Sequence, residues 1–172
     1  RQTAYFSLTP RRLPPYLFAS AGGTVNEQAS PTLAASTATA AAPPAAVRRV
    51  AFVSVVLPCL NEEDAVGPTV AEALRGLARA GLDGEVVVVD NGSIDRSVER
   101  AQAAGARIVH ERRRGYGAAH LAGIAAARGD VVVMADADQT YDLENLGHLV
   151  ARLEHGADMV IANRLAGDVY PG

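Results

Sequence analysis

From Val50 onward, short apolar runs recur along the chain: Val50–Leu57, Val86–Val89, Ile108-Val109, Val131–Ala135 and Met159–Ala162. A strand with one wet face would alternate apolar and polar residues, so runs this continuous predict strands buried on both faces. The intervals follow a helical period instead. Val66, Val70, Leu74 and Leu77 recur at helical spacing, and Gly81 stands where a C-terminal cap belongs. Further helices are predicted over Asp95–Ala104 before Gly105, about Gly117–Arg128 before Gly129, and around Leu146, Leu149, Val150 and Leu153 before Gly156. The order β-α-β-α-β-α-β-α-β predicts an α/β fold, a mostly parallel sheet flanked by helices on both faces. In such sheets ligands bind beyond the carboxyl ends of the strands.

Residues 1–48 show neither period. They hold Arg11-Arg12, Pro14-Pro15 and a Thr/Ala/Ser-rich tract closing on Pro43-Pro44. Such a segment buries too little apolar area to offset chain entropy, and a low-complexity, disordered leader is expected. A transit peptide is a second reading of it. Residues 49–172 are expected to form one domain, and a chain beginning at Arg1 reads as a fragment.

Composition narrows the function class. Lys and Arg number 16 against 19 Asp and Glu, a formal charge of −3, which argues against a nucleic-acid partner. Cys59 is the single cysteine, so no internal disulfide or thiolate zinc site can form; this fits a reducing, cytoplasmic compartment. No apolar run approaches the roughly 20 residues of a membrane-spanning helix.

The strand ends carry the chemistry. The first reads Pro58-Cys59-Leu60-Asn61-Glu62-Glu63-Asp64, where a dinucleotide-binding unit would have a glycine-rich turn. A Rossmann cofactor site is therefore not expected; the acids could equally favour a helix N-terminus. The second reads Asp90-Asn91-Gly92-Ser93-Ile94-Asp95. Gly92 suits a tight turn and Ser93 or Asp95 a helix cap, while Asp90 could accept the imide N–H of uracil or guanine. The fourth reads Asp136-Ala137-Asp138-Gln139. Alternation places residues 136 and 138 on one side, and paired carboxylates repel unless a cation lies between them. Hard oxygen ligands suit Mg²⁺ or Mn²⁺, which a substrate diphosphate would share. Before the third helix, Arg112-Arg113-Arg114-Gly115-Tyr116-Gly117 offers backbone N–H groups and charge to an anion. Arg112 and Arg113 read as a solvated loop, which leaves Arg114, and beyond the last strand Arg164, as donor-site cations. His110, His120, His148 and His155 show no metal-ligand spacing and read as surface or helix-face residues; Tyr141 and Asp142 read as shaping the loop after the acids.

Taken in order, Val-Val-Leu-Pro-x-Leu-Asn-Glu-Glu, Val-Val-Asp-Asn-Gly-Ser-x-Asp, Arg-Gly-Tyr-Gly-Ala-Ala, Asp-Ala-Asp-Gln-Thr-Tyr-Asp and Gly-Ala-Asp-Met-Val-Ile-Ala-Asn-Arg resemble the family-2 glycosyltransferases of the GT-A fold. Within them the chain is most similar to the dolichyl-phosphate mannose synthase and polyprenyl-phosphate glycosyltransferase branch. The resemblance implies a nucleotide-sugar-binding domain over residues 49–172, incomplete at its C-terminus. It implies that Pro58, Leu60, Glu62, Val88 and Asp90 surround the base and ribose. Asp136, Ala137 and Asp138 would meet the diphosphate and metal, the two acids serving catalysis, with Arg164 on the donor. Gln139 would be a third metal ligand, although the synthases carry their Gln one residue later. The implied reaction is inverting hexosyl transfer from a nucleoside-diphosphate sugar to a polyprenyl phosphate, by a cytoplasmic protein peripheral at the membrane surface. Its rivals are a truncated, non-catalytic nucleotide-sugar-binding module and a retaining enzyme of the glucosyl-3-phosphoglycerate synthase kind. A nucleotidyltransferase would need a glycine-rich signature after the first strand.

Overall fold

The computed structural model describes residues 5–8 and 49–162. Strand β1 is Tyr5–Leu8, β2 Val53–Cys59, β3 Gly84–Asp90, β4 Arg107–His110, β5 Val131–Met134 and β6 Met159–Ile161. Helices α1 (Val66–Arg79), α2 (Ser97–Ala103), α3 (Tyr116–Ala126) and α4 (Gly147–Glu154) alternate with them, and a 3-10 turn spans Leu143–Asn145. The sheet order is β4-β3-β2-β5-β1-β6. Strands β4, β3, β2 and β5 are mutually parallel, the expected α/β arrangement. Strand β1 runs antiparallel between β5 and β6. Those four residues fall within the segment 1–48 expected to be a disordered leader: Tyr-Phe-Ser-Leu is a β-prone run, and the ladders of β5 and β6 give its backbone partners. The rest of that segment lies outside the described residues.

Period-two alternation decides which side chain enters which core. Val53, Val55, Leu57, Val86, Val88, Val131 and Val133 join the larger cluster with Val66, Val70 and Leu77 of α1 and Val150 and Leu153 of α4. Val56, Val87, Val89 and Val132 face the other way and meet Ala119 of α3. That second face is thin, and α3 comes very close to it. A methyl group on Gly123 would stand 2.3 Å from the Val56 side chain, so only glycine fits there. The helix stops predicted at Gly81, Gly105 and Gly156 hold, each with positive φ, whereas α3 ends at Ala126, short of the stop expected at Gly129. The run Met159–Ala162, expected to be buried on both faces, instead leaves Met159 and Ile161 half exposed, because β6 is the sheet edge. Among the described residues, no helix is long and apolar enough to cross a membrane.

Candidate donor-binding site

The carboxyl ends of β2, β3 and β5 open onto a cleft of about 500 Å³, within the usual range for small-molecule sites. Its floor and one wall are Pro58, Cys59, Leu60 and Glu62 from the end of β2, with Asn91 from β3. Arg114, Gly115, Tyr116 and Ala119 come from the loop before α3 and its first turns; Asp136, Ala137, Asp138 and Thr140 follow β5.

Past β5 the alternation of buried and open positions carries on to Asp138, through a bend at residues 137–139. Ala135 and Ala137 are almost wholly buried in the larger core, while Asp136 and Asp138 both line the cleft, as the sequence predicted. Helix α1 fixes this segment from behind. The Thr69 hydroxyl donates to the Ala137 carbonyl at 3.2 Å, and Glu72 accepts the Leu143 N–H at 2.8 Å. The Asp138 carboxylate accepts from both the Thr140 N–H (3.0 Å) and hydroxyl (2.6 Å). Asp136 accepts from two phenols, Tyr116 at 2.7 Å on Oδ1 and Tyr141 at 3.3 Å on Oδ2. Opposite them stands Glu62. Burial raises its pKa, and the charges of Asp138, Asp95 and Asp136 raise it further. The carboxylates of Asp136 and Asp138 beside Glu62 gather like charge in the cleft, an environment suited to a divalent cation with oxygen ligands. Among the described residues, no group of three or more His, Cys, Asp or Glu side chains is arranged to hold a metal by itself, so Asp136 and Asp138 would need ligand or water oxygens to complete a shell.

The loops after β2 and β3 are stitched together. Asn61, at φ 58°, accepts the Ile94 N–H at 2.9 Å on its side chain and donates its own N–H to the Ser93 hydroxyl at 3.0 Å. Glu63 Oε2 accepts the Arg96 N–H at 3.0 Å, and Asp95 accepts the N–H groups of Glu63 (3.2 Å) and Ser97 (3.0 Å). Asp95 therefore plays the capping part foreseen for it, and Glu63 closes the same junction, while Glu62 alone of the acids after β2 lines the cleft.

Parallel register brings Cys59, Asp90 and His110 into one row. Asp90 Oδ1 accepts the Ser93 N–H at 2.8 Å, and Oδ2 lies 3.1 Å from His110 Nδ1. Burial alone would raise the Asp90 pKa; the hydrogen bonds from Ser93 and the contact with His110 outweigh it and hold the carboxyl below its ordinary value. Asp90 is thus part of the turn and stands beside the cleft, whose lining is its neighbour Asn91. The Asn91 side chain donates to the carbonyls of Glu111 and Arg113 at 2.9 and 2.8 Å and accepts the Gly115 N–H at 2.7 Å. That clasp lays the Arg114 guanidinium over Gly92, where a methyl group would stand 3.1 Å from it.

Of the residues predicted for the site, Pro58, Leu60, Glu62, Arg114, Asp136, Ala137 and Asp138 meet in the cleft. Val88 does not: its side chain is fully buried in the larger core, because its strand parity points it at α1's side of the sheet. Gln139, at φ 62° and exposed, is absent from the cleft lining, so its expected place as a metal ligand has no support in the geometry. Arg164 lies outside the described residues. Sequence reasoning missed Asn91 and Tyr116 as site residues, although both sat inside motifs it had singled out. Of the two readings given for His120, surface or helix face, the structure gives the second: it lies on a buried face of α3, edge-on to Tyr116 with centroids 4.2 Å apart, and among the described residues its Nδ1 has no hydrogen-bond partner. Burial pushes the His120 pKa down, partly opposed by the charge of Asp136.

The chain is 41% identical over 120 residues to a low-salt glycan biosynthesis hexosyltransferase of Haloferax volcanii, covering 69% of this chain and 29% of that protein. It is 38% identical over 116 residues to an undecaprenyl-phosphate 4-deoxy-4-formamido-L-arabinose transferase of Pseudomonas aeruginosa, covering 63% and 34%. Against an uncharacterized glycosyltransferase of Mycobacterium tuberculosis the identity is 45% over 121 residues, covering 69% and 52%. The chain thus spans between 29% and 52% of the length of these relatives. Among solved structures, glucosyl-3-phosphoglycerate synthase from M. tuberculosis in complex with uridine diphosphate superposes with a TM-score of 0.53 at 35% identity, over 62% of this chain and 41% of that one. A further mycobacterial protein superposes at 0.54 with 38% identity, over 62% and 38%. Residues 54–171 match the sequence model described as glycosyl transferase family 2, and the chain belongs to that family, with the GT-A arrangement of a parallel sheet flanked by helices.

Proposed function

We propose that this chain supplies the donor half of a hexosyltransferase that moves a sugar from a nucleoside diphosphate to a polyprenyl phosphate at a membrane surface. The observation that carries the reading is the placement of Asp136 and Asp138 on one side of a cleft whose other wall is the Pro58–Glu62 strand end. The base and ribose lie between Pro58, Leu60 and the Asn91 side, and Asp90, already held by Ser93 and His110, keeps lone pairs for the base imide. Arg114 faces the diphosphate from the loop that Asn91 clasps.

Asp136 and Asp138 would hold Mg²⁺ or Mn²⁺ together with the donor's phosphate oxygens. When bound, that cation supplies positive charge to the departing diphosphate. The acceptor's phosphate oxygen attacks the anomeric carbon, the bond from that carbon to the diphosphate breaks, and the nucleoside diphosphate leaves with inversion. A phosphate nucleophile is already anionic at neutral pH, so the protein's work is alignment more than proton removal. The polyprenyl-phosphate acceptor is favoured by the named transferase among the relatives and by the Asp-Ala-Asp-Gln-Thr-Tyr-Asp stretch.

The likeness to glucosyl-3-phosphoglycerate synthase supports a second reading, with 3-phosphoglycerate as acceptor and retention of configuration. Incubation of the full-length protein with labelled UDP- or GDP-hexose, Mn²⁺ and either a short polyprenyl phosphate or 3-phosphoglycerate separates the two. Label in the lipid phase supports the first reading and label only in phosphoglycerate the second. Donor binding without transfer to either supports a non-catalytic module.

A further inference from the structure

The cleft places a phenol directly on one of its two acids. Tyr116 opens α3, is 45% exposed, and donates its hydroxyl to Asp136 Oδ1 at 2.7 Å. Tyr141 takes the other oxygen of the same carboxylate at 3.3 Å. Each carboxylate oxygen offers two lone-pair directions, so these bonds fix the plane of the group and still leave one direction on each oxygen for a cation. The phenol itself is held from two sides. The edge-on ring of buried His120, one helical turn on, restrains its swing. On the other side the N–H of Gly115, the residue before it, is bound to the Asn91 side chain at 2.7 Å. Gly115 has φ 127°, a backbone conformation that side-chain-bearing residues rarely adopt, so the clasp turns the chain there into α3. A continuous run of contacts therefore leads from the nucleotide side of the cleft, Asn91, through Gly115 and Tyr116 to Asp136.

We propose that Tyr116 is a positioning residue: it sets the orientation of the Asp136 carboxylate for the divalent cation and ties that orientation to the arginine loop that faces the donor. This rests on the reading of Asp136 and Asp138 as the cation's ligands. Groups that orient a metal ligand typically contribute 10- to 100-fold to metal affinity. Because this hydroxyl sits at the open mouth of the cleft, the lower end of that range applies.

Tyr116→Phe keeps the ring against His120 and removes only the hydroxyl. Mn²⁺ binding to the 172-residue chain, followed by the loss of the free-ion paramagnetic resonance signal with and without UDP, is the direct readout; thermal melts check that each variant folds. Tyr116→Phe is expected to weaken Mn²⁺ binding about 10-fold, to leave the affinity for UDP without metal within about 2-fold, and to melt near the parent. Asp138→Ala, run alongside, tests the underlying reading. If Asp138→Ala loses Mn²⁺ while Tyr116→Phe binds it as tightly as the parent, the positioning role is overturned and the cation site stands. If Asp138→Ala also binds Mn²⁺ unchanged, the cation site itself is overturned and the proposal with it. A Tyr116→Phe variant that loses metal-free UDP binding in equal measure would show that the phenol shapes the cleft generally, which also overturns it.

Discussion

The Asn91 carboxamide accepts the Gly115 N–H at 2.7 Å, and the same side chain donates both of its amide hydrogens to the carbonyls of Glu111 and Arg113. A single residue, 5% exposed at the end of β3, thereby satisfies three backbone groups of the loop that follows β4. Asn91→Ala would leave those groups without partners in a largely dry place. Unfolding in urea should show a loss of about 2–3 kcal/mol, the cost of orphaned buried polar groups. UDP affinity should fall as well, because Arg114 is no longer held over the cleft. An unchanged midpoint together with unchanged UDP affinity would contradict the clasp. Asn91→Asp offers a finer comparison, since it keeps the acceptor for Gly115 and loses the donors.

Glu62 predicts an unusual pH response. Its pKa in the folded chain is raised, by burial first and then by Asp138, Asp95 and Asp136. A raised carboxyl pKa means that the folded state holds the proton more tightly than the unfolded state. Stability therefore falls as pH rises from the ordinary value of 4.5 through the raised one, and stays reduced above it. Glu62→Gln should melt higher than the parent at neutral pH in the absence of divalent cations. The difference should close below pH ~4, where both states are protonated. Melting curves of the pair across this range check the sign; a variant less stable at neutral pH is the contrary result.

Asp90 should show the opposite sign. Ser93 and His110 hold its folded pKa below the ordinary 3.8, so its contribution is present above that value and is lost as pH falls through the folded pKa. Asp90→Asn should be less stable than the parent at neutral pH and should converge with it in acid. His110→Ala should weaken the same contribution. If Asp90→Asn matches the parent's melting temperature at pH 7, the turn contacts add nothing, and a role confined to the nucleotide regains ground.

Much of the scaffold was legible in the chain because it depends on local pattern. Uninterrupted valines imply burial on both faces, and Gly81, Gly105 and Gly156 mark helix ends that the backbone then adopts. Asp136 and Asp138 were legible for the same reason, since alternation alone puts them on one side. What escaped was whatever depends on register or on contact between distant segments. His110 meets Asp90 because β3 and β4 pair in one register, and nothing near either residue announces it. Asn91 and Tyr116 act through partners 20 or more positions away, Glu111 and Gly115 for one, Asp136 for the other. His120 was left between surface and helix face because its helix is apolar nearly all round, leaving no polar face against which to judge it. Val88 was assigned to the nucleotide by likeness to the family, whereas strand parity sends its side chain into the core.

The central claim is that Asp136 and Asp138 bind a divalent cation jointly with a nucleoside diphosphate. Titration calorimetry with UDP and with GDP, in the presence and absence of Mn²⁺, on the parent chain and on Asp138→Ala, tests it most directly. The parent should bind one of the two nucleotides markedly tighter with Mn²⁺ present. The variant should lose at least the roughly 100-fold at which loss of a merely supporting group tops out, while its melting temperature stays near the parent's, because Asp138 is exposed and, among the described residues, its hydrogen bonds are to Thr140. Equal Mn²⁺-dependent binding in the two proteins would contradict the account.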